Sequence, residues 1–399
     1  MPFVLYLLGL AVFAQGTSEF MLSGLVSDIA GDLGVSVPAA GALTSAFAVG
    51  MIVGAPLMAV LSLRWSRRRA LLVFLTAFLL VHVVGALTSS YAVLLATRVV
   101  GALANAGFLA VALATATSLV APDAKGRATS VLLGGTTLAC VAGVPGGALL
   151  GQLWGWRAAF WAVALVSVPA VVAIARSVPA GPPASAHTGA RTELGALRSP
   201  RLLVTLLLGA LVNGATFCVF TYLEPLATHV TGIGDAWMPA LLALFGLGSF
   251  AGVTLAGRMA DRRPVPLLAG GSVALLVGWV VFALTAQHTA ATVVFAFVQG
   301  ALSFAVGSTL IARALYAATA APTLGGAFAT AAFNIGAAVG PWAGGQAIAA
   351  GLGYRSPLWV GALMVALALI TGGTAALRAR QRPTSVTPAP ANTSVPPRP

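Results

Sequence analysis

Gly155-Trp156-Arg157-Ala158-Ala159-Phe160-Trp161 returns as Gly353-Tyr354-Arg355-Ser356-Pro357-Leu358-Trp359, and Leu63-Arg64 returns as Asp261-Arg262, each 198 residues later in a chain of 399. That spacing is half the chain, and an internal repeat of this length sets the architecture before any single motif does. With 59% hydrophobic and 7% charged residues, the two copies read as halves of a duplicated membrane bundle, in which a substrate site lies between the repeats. Transport is therefore the expected activity.

A water-soluble domain carries about 25% charged residues, so this chain cannot cover a water-facing surface. Roughly 20 apolar residues cross a hydrocarbon core of about 30 Å. Twelve such runs are legible, at about 3–27, 38–62, 70–89, 91–114, 128–151, 157–177, 202–225, 236–258, 264–285, 290–313, 323–349 and 356–376. The expected fold is an all-α membrane protein with twelve transmembrane helices in two pseudo-symmetric six-helix halves. The N-terminus lacks the basic flank and small-residue cleavage site of a signal peptide, so its apolar run is expected to remain as the first span.

The net charge is +13, from 21 Lys and Arg against 8 Asp and Glu. One side of the membrane holds only Arg157 and Arg355 in its loops, Arg98 lies inside a span, and the other basic residues gather on the opposite side. This asymmetry places both termini in the cytoplasm. It also accounts for the charge without a nucleic-acid partner. Cys140 and Cys218 fall within spans and lack the spacing of a metal or redox site. No Ser/His/Asp set or metal cluster appears in the spans, so neither an enzyme nor a cofactor is expected.

Between residues 177 and 201 the hydrophobicity collapses into a Pro-, Gly- and Ser-rich stretch. The expected organisation is a six-helix half at 1–177, a cytoplasmic linker at 178–200, a second half at 201–377 and a disordered cytoplasmic tail at 378–399.

Gly134 is followed by Gly143-Val144-Pro145-Gly146-Gly147 and Gly151. Pro145 removes a backbone donor and kinks its helix, while glycines let a neighbouring helix approach closely. The stretch resembles the fifth-helix antiporter motif of the major facilitator superfamily, in its twelve-helix drug:proton antiporters. The eleventh span carries a second string, Asn334-Ile335-Gly336 through Gly340-Pro341-Trp342-Ala343-Gly344-Gly345. The resemblance implies helices that rock during transport, whereas the residues alone also fit a static packing interface. The loop after span two, with Leu63, Arg64, Ser66, Arg67 and Arg68, resembles the superfamily's Gly-x-x-x-Asp-Arg loop, with Leu63 in place of the Asp. The copy from Gly257 to Arg263 keeps the core, so the resemblance assigns a cytoplasmic latch to Asp261 and Arg262 with Arg64 opposite. Simple anchoring by arginine remains the other reading of this loop.

Two acids fall within the predicted spans, Glu19 and Glu224. An ionisable group in a span is a functional-site hypothesis by default. Arg98, in Ala96-Thr97-Arg98-Val99-Val100-Gly101, partly resembles the superfamily's fourth-helix Arg motif and falls at a depth where it can meet Glu19. Glu19, Arg98 and Glu224 are thus the proton-coupling candidates, with proton and drug biasing opposite states of a Glu19–Arg98 contact. A static ion pair is the competing reading, and Glu224 lies close to water at its helix end. Asn105, Asn213, Phe217, Phe220, Tyr222 and Asn334 are candidates for the substrate path, although such polar residues also serve as interhelical glue. His82 is single and without metal partners.

Over nearly its whole length the chain is similar to actinobacterial chloramphenicol-resistance exporters of the drug:proton antiporter group. The resemblance implies proton-coupled export of a neutral amphipathic drug such as chloramphenicol. The expected partners are the drug, protons and the lipid bilayer, and the chain is expected to act as a monomer. An exporter of sugars or other small metabolites is the alternative.

Overall fold

The computed structural model describes residues 2–62, 65–121, 125–178, 194–259, 264–318 and 325–381. The first half contains α1 (Phe3–Phe20), α2 (Val37–Ser62), α3 (Arg67–Leu87), α4 (Tyr91–Ser118), the composite α5 (Lys125–Leu138, a π-helical turn Ala139–Gly143, then Val144–Trp154) and α6 (Arg157–Ser177). The second contains α7 (Pro200–Thr221), α8 (Met238–Met259), α9 (Pro264–Thr285), α10 (Thr289–Ala317), α11 (Gly325–Ala347) and α12 (Ser356–Gln381). Among the described residues, 11 segments are long and apolar enough to cross a membrane. α11 falls outside that set because its Gly, Asn and Pro content lowers its hydropathy. Its 23 residues still span the required thickness at about 1.5 Å each. Large apolar side chains such as Leu80, Leu165, Leu284 and Leu363 lie exposed on the outside of the bundle, as a lipid-facing surface requires.

Two expected spans end earlier than their hydropathy. The first is predicted to reach residue 27, but α1 stops at Phe20 and gives way to a 3-10 turn, Met21–Gly24, and a short helix, Val26–Leu33. Ser23 Oγ donates to Phe20 O at 3.0 Å, the local side-chain bond by which serine competes with a helix. Likewise α7 ends at Thr221 and is followed by a single turn, Leu223–Leu226, that contains Pro225. The latch candidates Arg64, Asp261 and Arg262, and the tail beyond Gln381, lie outside the described residues.

Twelve crossings return the last helix to the face where the first begins, here termed the terminal face; the other is the distal face. The opening repeat forms the distal corner of each half. Gly155 (φ 81°, ψ 158°) precedes α6 and Gly353 (φ 74°, ψ 174°) precedes α12, a conformation that a Cβ would strain. Two residues later, Arg157 Nη2 donates to Thr88 O at 2.9 Å, just past α3, and Arg355 Nη2 donates to Gln287 Oε1 at 2.8 Å, just past α9. Trp156 Nε1 donates to Asp32 at 3.2 Å, and Tyr354 sits against His229 with ring centroids 4.8 Å apart. Matching contacts at matching corners make the sequence repeat a structural one.

The halves meet along α2 with α11 and α5 with α8. Near the distal face, Tyr222 Oη donates to Pro341 O at 2.9 Å, and its ring occupies the space left by Gly41 on α2 and by Gly344 and Gly345 on α11. Deeper in, Ala48 of α2 packs with Phe217, Ala337 and Ala338. On the other seam, Gly246 of α8 lies against the Cys140 carbonyl in the π-helical turn of α5, leaving no room for a Cβ.

Candidate functional site

α1 breaks where its polar residues cluster, and the break exposes the Ser18 carbonyl to a side chain. Arg98, on α4, is 2% exposed. Its Nη2 donates to Ser18 O at 2.8 Å and its Nη1 to Ser18 Oγ at 2.9 Å. Its guanidinium carbon lies 4.4 Å from the centre of the Phe47 ring. A cation at the last turn of a helix is favoured by the carbonyls there. The face of an aromatic ring supplies part of what water would otherwise provide.

Ser18 is held from the other side by His82 of α3. The two side chains are 2.6 Å apart at Oγ and Nε2, and His82 Nδ1 is 2.7 Å from Phe78 O. A carbonyl can only accept, so Nδ1 carries a proton. With a neutral ring, Nε2 accepts the Ser18 hydroxyl proton, and Ser18 Oγ accepts from Arg98. The chain Arg98 to Ser18 to His82 to Phe78 then satisfies the Ser18 hydroxyl and both ring nitrogens of His82, whereas two cations on one buried serine would repel.

Glu19 is half-buried and makes no hydrogen bond or ion pair with any described residue. It lies within electrostatic reach of Arg98 and of Cys140 on α5. The expected Glu19–Arg98 contact is thus present as proximity and not as a bond, because the terminal nitrogens of Arg98 are taken up by the residue before Glu19. The ion pair seen among the described residues is Arg157–Asp32, at 2.5 Å.

The apolar candidates divide. Phe217 meets Phe20 of the first half, with ring centroids 5.6 Å apart. Phe220 instead stacks on Phe245 at 4.5 Å within the second half, and Tyr222 is the buried plug described above. Asn213 Nδ2 donates to Phe333 O at 2.7 Å and joins α7 to α11. Asn334 Nδ2 bonds back to Thr330 O of its own helix at 2.9 Å. Asn105 is buried on α4, seven residues after Arg98 and so on the same helix face. Gln15, one turn before Glu19, was missed from sequence; it is 1% exposed and neither of its amide atoms has a partner among the described residues.

In α5, Gly143 faces Thr17 of α1, Gly147 faces Met21 at the start of the 3-10 turn, and Gly135 faces the Gly9 carbonyl. Gly134 and Gly146 have no heavy atom within 4 Å of where a Cβ would stand. Pro145 is buried just after the π-helical turn.

Glu224 closes the distal face. Its Oε2 accepts Ser27 Oγ at 2.6 Å and Ser27 N at 3.3 Å, a bond between the halves. Beside it a cavity of about 860 Å³ is lined by Ser27, Asp28, Asp32, Trp156, His229 and Asp235, among others. Burial pushes the Glu224 carboxyl up from its ordinary range, with the Ser27 donors opposing. Asp28 is pushed up by burial and by Asp235. The side chain of Gln152, on α5, donates to Asp235 O and ties the halves a second time. Ser27 was not legible as a site residue, since its partner lies 197 positions away.

The sequence model of the Major Facilitator Superfamily matches residues 8–326 and 237–398. The chain belongs to this superfamily. As a member it is a multi-pass membrane transporter and not an enzyme. It is 58% identical over 373 residues to a chloramphenicol resistance protein of Streptomyces lividans, covering 93% of this chain and 95% of that one. It is 36% identical over 379 residues to the inner membrane transport protein YdhP of Escherichia coli, covering 95% and 96%. Among solved structures it matches a bacterial homologue of the human lysosomal transporter Spinster in an inward-facing, unoccupied conformation. That match has a TM-score of 0.75 and 18% identity, over 95% of this chain and 96% of the other. The major facilitator fold, with its two six-helix halves, accounts for the paired seams α2–α11 and α5–α8.

Proposed function

We propose that this transporter exports a neutral amphipathic drug, with chloramphenicol the first substrate to test, in exchange for an inward proton, and that it thereby confers resistance. The observation that carries the reading is Glu19, a carboxyl inside the bundle that no hydrogen bond or ion pair holds among the described residues while Arg98 stands beside it. Such a group can take a proton from one side and release it to the other as Arg98 approaches or withdraws. The relative in Streptomyces lividans, named for chloramphenicol resistance, supports the substrate. The Phe20–Phe217 contact between the halves suits an uncharged aromatic solute.

The distribution of arginines supports a cytoplasmic terminal face; in this reading a linker at 178–200 separates the halves and the chain acts as a monomer. Glu224 and Ser27 then close the outer side, and the acidic cavity beside them is where protons gather before reaching Glu19. Asp261, Arg262 and Arg64 would latch the cytoplasmic side in the opposite state. One proton moving inward against one neutral solute draws about 2.3 kcal/mol per 100 mV and about 1.4 kcal/mol per pH unit. The potential alone sustains a gradient of roughly fifty-fold per 100 mV.

The test is chloramphenicol accumulation in sensitive cells with and without a protonophore, alongside Glu19→Gln. Accumulation should be low, and should rise to the empty-cell level with the protonophore and in the variant. Full protection by Glu19→Gln would remove Glu19 as the carrier. Accumulation equal to empty cells for the unaltered protein would remove chloramphenicol as the substrate.

A further inference from the structure

We infer that Ser18 and His82 form a positioning device that holds Arg98 off Glu19, so that the carboxyl stays free to exchange its proton. The inference rests on Glu19 being the proton carrier, but not on which drug is carried. Arg98 has five N–H donors and a choice of acceptors: the Ser18 carbonyl and hydroxyl, or the neighbouring carboxylate. Unopposed, a carboxylate wins, because its full negative charge attracts the guanidinium directly in addition to the hydrogen bond. Here Arg98 Nη1 and Nη2 sit on Ser18 at 2.9 and 2.8 Å, and Arg98 Nε, though buried, has no partner among the described residues. Something must make Ser18 the better acceptor.

His82 supplies it. By taking the Ser18 hydroxyl proton at 2.6 Å, its Nε2 turns the oxygen's lone pairs toward Arg98 and polarises it, a cooperative effect of linked hydrogen bonds. The imidazole is itself fixed by its bond to Phe78 O and by the Phe78 and Phe160 rings, whose centroids lie 4.2 and 5.8 Å away. Phe47 holds the guanidinium from the α2 side. Among the described residues, the titratable and charged groups gathered here are Glu19 of α1, His82 of α3, Arg98 of α4 and Cys140 of α5, and α2 and α6 contribute the rings of Phe47 and Phe160. The role of His82 is that of an acceptor, and it need not carry a proton. This separates it from a second proton carrier and from simple interhelical glue.

Replacing His82 by Leu removes the acceptor at similar volume. Gln keeps an acceptor oxygen at about the reach of Nε2 and cannot become charged. Ser18→Ala removes the hydroxyl and leaves the carbonyl. The readout is the reaction of Glu19 with an apolar carbodiimide, which adds to protonated carboxyls, followed by mass spectrometry at Glu19 across a pH series on the full-length protein in detergent. That assay is independent of substrate and of transport. At a pH where the unaltered protein is half labelled, His82→Leu and Ser18→Ala should label on the order of tenfold more slowly, about one pH unit's worth, as Arg98 falls onto the carboxylate. His82→Gln should follow the unaltered protein in labelling and in proton-driven efflux. Unchanged labelling in both His82→Leu and Ser18→Ala, or a His82→Gln that labels like His82→Leu, would overturn the inference. Normal labelling without any drug efflux would leave it standing and count against the proposed substrate.

Discussion

Arg157 and Glu224 both tie distant segments at the distal face, but their burial makes them answer differently to pH. The Arg157–Asp32 pair is partly exposed, with side chains at 32% and 45%, so it contributes about 1 kcal/mol or less. The hydrogen bond from Arg157 holds the Asp32 carboxyl below its usual range. A depressed carboxyl stabilises the folded state above its unfolded value near 3.9 and loses that contribution as pH falls through the folded value. Asp32→Asn should therefore lower the unfolding temperature slightly at pH 7 and by less near pH 3. A temperature loss of the same size at both values would assign the effect to packing. Glu224 has the opposite sign, because burial pushes its carboxyl up against the two Ser27 donors and the nearby His229. Ser27→Ala removes the hydroxyl bond, worth about 1.5–3 kcal/mol to a charged acceptor, and with it part of the closure between the halves. The drug gradient sustained by cells should fall several-fold while drug binding by the purified protein is kept; an unaltered gradient would show that closure does not depend on this bond.

α5 shows what a sequence reveals about a helix and what it hides. Its glycines and Pro145 were legible as a packing and kinking motif, but the direction each glycine faces was not. In an α-helix, positions seven apart lie within about 20° of each other around the axis, whereas positions eight apart are turned by about 80°. Gly135 and Gly143 are eight apart, yet both lie against α1. The π-helical turn at Ala139–Gly143 absorbs one residue and brings them into line. No hydropathy pattern announces such a turn, so Gly134 was read in place of its neighbour. The same limit applies at the end of α1: the depth of Glu19 and Arg98 was legible, whereas the helix break that offers the Ser18 carbonyl to Arg98 was not. These placements separate two glycines that look alike in sequence. Gly143→Ala drives a methyl group into Thr17 and should cost about 1–3 kcal/mol of stability or a matching loss of turnover. Gly146→Ala, with open space beside it, should be neutral in both thermal unfolding and efflux. Pro145→Ala should restore a backbone donor, straighten α5 and slow turnover more than it affects folding; wild-type efflux from that variant would remove the rocking role of this helix.

The two halves were legible because duplication leaves corresponding corners in the sequence, and Gly155 and Gly353 keep the same backbone conformation 198 residues apart. The state of the seams was not legible, since one sequence must serve every state of a transporter. In this structure the inter-half contacts of Tyr222 with Gly41, Ser27 with Glu224 and Gln152 with Asp235 close the distal face. Alternating access requires these contacts to part in the other state. The seam between α2 and α11 gives a direct way to test that. A Cβ on Gly345 would stand 3.4 Å from Pro38 Cβ, close to the lower limit of about 3.5 Å for a disulfide. Only the Tyr222 hydroxyl crowds it, at 2.5 Å. With Tyr222→Phe making room and Cys140 and Cys218 replaced by Ser, Pro38→Cys with Gly345→Cys should form a disulfide on mild oxidation. Efflux should stop when the bridge forms and return on reduction, while the reduced protein and each single cysteine variant transport throughout. A bridged protein that exports at the reduced rate would mean that the distal seam never opens, and the substrate would then need a route other than the one between the halves.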